Sequence, residues 1–79
     1  MSLPPSAGEV VALGAHPLIA GFALAGVRLS PAASAAEVRV AWHAVSDTAA
    51  VVILTPAAAE VLGEDRTAPQ TPLTVVMPP

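Results

Sequence analysis

Two histidines, His16 and His43, and a charged run of Glu60, Glu64, Asp65 and Arg66 are the side chains of this chain best equipped to act as bases, acids or ligands. His16 lies in Gly14-Ala15-His16-Pro17, a strand-to-helix turn where an imidazole can serve as a general base or an anion contact. No nucleophile or carboxylate is assigned to the same end, so an exposed turn residue is the simpler reading. His43 follows Arg39 by four residues on a helical pattern and reads as solvated surface. Without cysteine, thiolate ligands and disulfides are excluded, and two histidines on separate elements make a poor metal set. Ser6, Ser30, Ser34 and Ser46 stand in no Gly-x-Ser-x-Gly context. The run Glu60, Glu64, Asp65 and Arg66 reads as solvated surface, with recognition of a partner as its functional alternative.

Phosphate and cofactor motifs are equally absent. Gly14-Ala15-His16-Pro17-Leu18-Ile19-Ala20-Gly21 lacks the three-glycine spacing that lets a backbone approach a pyrophosphate, and a P-loop needs a lysine, of which there is none. A receiver-type phosphoacceptor needs acidic residues where Gly14-Ala15 and Thr55-Pro56 stand. No catalytic, cofactor-binding or metal-ligating residue is therefore assigned; the alternatives are a stand-alone oligomeric interaction domain and, with less support, a small-ligand or enzyme domain using the strand C-terminal ends near His16 and Thr55. The net charge of -3 rests on six acids against Arg28, Arg39 and Arg66, too few and too scattered to neutralise a nucleic-acid backbone.

The elements that would position these residues follow from apolar runs and their punctuation. Glu9-Val10-Val11-Ala12-Leu13 is an apolar strand ended by Gly14, and Pro17 opens a helix with Leu18, Phe22 and Ala25 on one face and Gly26 as its stop. Val27-Arg28-Leu29 reads as a short edge strand closed by Ser30-Pro31. Ser34 and Glu37 have capping-box spacing, so a second helix should run to about Val45 with Val38, Ala41, Trp42 and Val45 inward. Ala50-Val51-Val52-Ile53-Leu54 is the most β-branched run and the candidate central strand. Thr55-Pro56 caps and starts a third helix that Gly63 ends. Residues 64–72 read as an exposed, mobile loop, and Leu73-Thr74-Val75-Val76-Met77 as the last strand before Pro78-Pro79.

This alternation predicts a single α/β domain over 9–79 behind a loose leader, 1–8. The expected architecture is Rossmann-like, of the flavodoxin or CheY type, with a four-stranded parallel sheet in the order 2-1-3-4 and helices on both faces. A core this small, built largely from alanine and valine, favours association with a partner. The edge strand 73–77 should lie bare, which favours homodimerisation through it. The uncharged stretch 10–27, bracketed by Glu9 and Arg28, would rise only about 27 Å as a helix, and Pro17 and Gly14 interrupt it. It reads as a buried strand and helix rather than a membrane span, and no basic region precedes it as in a secretory signal.

Gly21-Phe22-Ala23-Leu24-Ala25-Gly26-Val27 resembles a signature of the F subunit of the V-type ATPases and their archaeal and bacterial A/V-type relatives. In that family a first strand leads to a helix ending Gly-Phe-x-Leu-Ala-Gly-Val/Ile, before an edge strand. The aliphatic strand ending Leu54-Thr55 and the later strand ending Met77-Pro78 fit the same order, so the resemblance spans about 9–78. It implies a non-catalytic rotor component of the central stalk, cytoplasmic and peripheral to the membrane. Such a component binds the stalk's coiled-coil D subunit and couples ATP hydrolysis or synthesis to ion transport, without a cofactor of its own. Within the signature, Gly21 and Ala25 are expected to allow close helix-to-sheet approach, Phe22 and Leu24 to fill space, and Gly26 to turn the chain into Val27.

Overall fold

The computed structural model describes residues 8–67 and 72–78. The expected leader therefore falls, apart from Gly8, outside the described residues, as do positions 68–71 of the long loop. Four strands form one parallel sheet: β1 (Glu9–Gly14), β2 (Arg28–Pro31), β3 (Ala49–Leu54) and β4 (Leu73–Val76), in the order β2-β1-β3-β4. Among the described residues three α-helices connect them: α1 (His16–Ile19), α2 (Ala35–Val45) and α3 (Pro56–Leu62). This is the small α/β architecture that the alternation of elements predicts. No helix among the described residues is long and apolar enough to cross a membrane.

The register explains which side chains form the core. In parallel pairs, partners lie on the same side of the sheet, and Val11 and Leu13 of β1 pair with Val52 and Leu54 of β3. These four cluster with Val38, Trp42 and Val45 of α2 and with Ala58, Ala59 and Leu62 of α3. Helix α2 starts where sequence places it: Ser34 Oγ accepts from the Glu37 N–H at 3.1 Å. The return bond of the capping box runs one residue further out, from the Ala33 N–H to Glu37 Oε1 at 2.8 Å. Helix α3 starts on Thr55, whose buried Oγ1 accepts from the Ala58 N–H at 3.2 Å.

Two strand-end contacts fix the crossovers. The Ala32 N–H donates to the Gly14 carbonyl at 2.8 Å and the Thr55 N–H to the Leu13 carbonyl at 3.2 Å, so both chains entering helices pass close over the end of β1. Gly14 is required there, because a Cβ would overlap the Thr55 side chain. Glu9 and Arg28, which bracket the long uncharged stretch, form an exposed ion pair at 3.4 Å across β1 and β2.

The first connection departs from expectation. The single helix predicted to end at Gly26 is one turn of α-helix followed by a 3-10 segment, Ala20–Ala25. Gly26 does turn the chain, in the left-handed conformation at φ 79°. The inward residue of this connection is Ile19, fully buried, rather than Leu18, which is 55% exposed, or Ala25, which is also exposed. A 3-10 segment has three residues per turn, so an inward stripe predicted at α-helical spacing does not persist through it. Part of the expected loop is also ordered, as a 3-10 turn over Gly63–Thr67.

Candidate functional site

In an open α/β sheet the usual ligand crevice lies beyond the carboxyl ends of the strands. Here it is lined by Ala15, Leu18, Ala33, Ser34, Thr55 and Ala57 among others, and holds about 100 Å³. Small-molecule sites are usually about 300–1,000 Å³ and carry convergent polar groups. The two hydroxyls at this one already accept helix-capping bonds, Ser34 from Glu37 and Thr55 from Ala58. His16 is the first residue of α1 and is exposed, whereas Thr55 is only 1% exposed. The two residues that an enzyme would use are thus separated by their environments, one in solvent and one serving the fold.

The charged residues do not converge on this crevice. Glu60 is exposed on α3, and Glu64 and Asp65 are exposed in the following 3-10 turn, where the Thr67 hydroxyl donates to the Glu64 carbonyl at 2.9 Å. Arg66 in the same turn is half-buried. A helix that leaves the carboxyl end of β3 runs back along the sheet, so α3 carries these charges towards the opposite end from His16. His43 is exposed on α2. Among the described residues no three His, Asp or Glu side chains are grouped so as to hold a metal ion. A second, open groove of about 350 Å³ runs between Pro31 and α2, along Ala36, Glu37, Val40 and Ala41. Its one carboxylate is engaged by the Ala33 N–H.

The surface is unusual where apolar side chains lack cover. On the sheet face opposite α2 and α3, α1 and the Ala20–Ala25 segment lie against β1 and β2. By register, Val10, Val51, Ile53, Leu73 and Val75 share this face. Leu73 is 68% exposed and Val75 49%, and Val10 is also open to solvent. Leu24, in the Ala20–Ala25 segment, is 96% exposed. Strand periodicity gave no warning of this. Leu73-Thr74-Val75 alternates, but its apolar side faces outward while Thr74 is half-buried.

The signature segment is placed differently from its expected structural role. A Cβ added at Gly21 would meet nothing within 4 Å, so no close approach to the sheet depends on that glycine. Leu24 fills no interior space, Ala25 is exposed, and Phe22 and Val27 are only half-buried. Gly26 turns the chain as packing arguments predict and Phe22 is partly buried, whereas Gly21, Leu24 and Ala25 do not take the roles expected of them. Parallel strands in the order 2-1-3-4 with flanking helices define the class, a small Rossmann-like α/β domain. Comparison with protein-family models, with curated proteins and with solved structures finds no match.

Proposed function

We propose that this chain is a non-catalytic protein-interaction component, similar to the F subunit of the V/A-type ATPases, that works by binding a coiled-coil stalk partner like the D subunit of those complexes. In this reading it is cytoplasmic, attached to the membrane only through the complex, and relays rotation between ATP chemistry and ion transport. The observation that carries the proposal is the exposure of the signature segment: Leu24 is 96% exposed and Gly21 lies in open space. A leucine that contributes nothing to the core and stands in solvent is better explained by a partner than by folding. Glu60, Glu64 and Asp65 provide an exposed acidic group at the far end of the domain that a basic helix surface would complement.

The test is co-purification of the full chain with the coiled-coil D subunit of an ATPase of this type. Stable binding that Leu24→Asp abolishes supports the proposal. Absence of binding, or binding indifferent to Leu24→Asp, contradicts it. An enzymatic reading would instead require a ligand at the 100 Å³ crevice. It would be revived by a metabolite that raises the melting temperature of the wild type but not of His16→Ala.

A further inference from the structure

The apolar residues without cover are not scattered. Among the described residues, four of the large exposed hydrophobics, Val10, Leu24, Leu73 and Val75, belong to the sheet face opposite α2 and α3 or to the Ala20–Ala25 segment packed against its edge. Their fractional exposures add up to about two and a half fully exposed side chains, on the order of 350 Å² of apolar surface. Doubled across two copies and extended by half-buried Val51, Ile53 and a polar rim, this reaches the roughly 1,200 Å² at which specific association begins. The sheet residues on this face carry no charge, so a second copy, although also at -3, would bring no like charges together at its centre.

The relief of this face is self-complementary. Over β2 and β1 it is raised by α1 and the Ala20–Ala25 segment, where Leu24 stands in solvent; over β3 and β4 no helix among the described residues packs on this face. Rotation by half a turn about an axis parallel to the strands and lying in the contact plane brings the raised half of one copy over the low half of the other. Parallel sheets are normally covered on both faces, and this arrangement supplies the missing cover from identical parts.

We propose that two copies of this chain associate through this face, each seating its Leu24-bearing turn over Leu73 and Val75 of the other. This goes beyond the stalk-component reading and does not depend on it, because it concerns the isolated chain. The dimer should dissociate in the range of about 1–100 μM, as suits a contact near the lower size limit.

Sedimentation velocity of the full chain from about 1 μM to 1 mM gives the first readout, with a monomer–dimer equilibrium expected and Leu24→Asp expected to remain monomeric. Because the chain has no native cysteine, a mixture of Leu24→Cys and Val75→Cys proteins under mild oxidation gives the second. The expected product is the mixed disulfide, with little of either self-linked dimer. A monomer throughout the concentration series overturns the proposal. So does a dimer that survives Leu24→Asp, or one in which Val75→Cys links only to itself, the result expected for pairing along the β4 edge. Failure here leaves coiled-coil binding to be judged on its own assay, and failure of that assay leaves the dimer standing.

Discussion

On one face of the sheet, Val11, Leu13, Val52 and Leu54 lie under α2 and α3 and are at most 1% exposed. On the other face, the register neighbours Val51 and Ile53 are half-buried, and Leu73 and Val75 stand largely in solvent. The same strands, with the same kinds of side chain, are thus covered to different degrees, and the cause is the connections. The β2–β3 and β3–β4 crossovers each deliver a capped helix carrying large residues, Trp42 and Leu62 among them. The β1–β2 crossover delivers a single turn of helix with one buried side chain, Ile19, followed by a 3-10 segment, Ala20–Ala25, that buries none. The first face is where most folding free energy resides, and the second leaves apolar side chains exposed.

Substitutions that separate the two faces should differ most at the largest side chains. Trp42→Ala, which empties the centre of the covered face, should cost about 3–5 kcal/mol, and Leu54→Ala about 2–5 kcal/mol, by urea unfolding of dilute protein. The same truncation at Leu73 should change the stability of the dilute chain by less than about 0.5 kcal/mol. Equal losses at Leu54 and Leu73 would erase the distinction between the faces.

Smaller effects sharpen it at the helix starts. Thr55→Ala removes a buried capping oxygen from α3 and should cost about 1–2 kcal/mol. Ser34→Ala removes an exposed one from α2 and should cost closer to about 1 kcal/mol. No comparable cap holds α1, where Ala15 precedes the helix without a side-chain bond. Hydrogen exchange should therefore show the Ala20–Ala25 segment opening more readily than α2.

The covered face was legible in the sequence because several signals agree there. The β-branched run through Ile53, the Ser34/Glu37 capping spacing, Thr55-Pro56 and the inward spacing of Val38, Trp42 and Val45 all point to the same elements. Strand order followed from short right-handed connections. The bare face was not legible. Leu18, Phe22 and Ala25 fit a helical stripe as well as any triplet in the chain, but α-helical winding stops at Ile19, itself the buried residue, so no continuous helix carries that stripe. Nor could the apolar residues of β4 disclose their exposure. A strand in a parallel sheet is expected to be apolar on both sides, so a missing cover leaves no mark in its composition. The signature segment failed in the same way, because a sequence pattern does not show whether its leucine is turned inward or outward.

The most direct test of the two-faced account is the melting temperature of wild type and Leu24→Asp as protein concentration rises about 100-fold. Association through the bare face should raise the wild-type midpoint by several degrees over that range, since mass action stabilises the paired state. Leu24→Asp should show no concentration dependence and should coincide with the wild type at the dilute limit. Coincident flat lines for both proteins would deny association, and a Leu24→Asp midpoint lower at every concentration would make Leu24 part of the core after all.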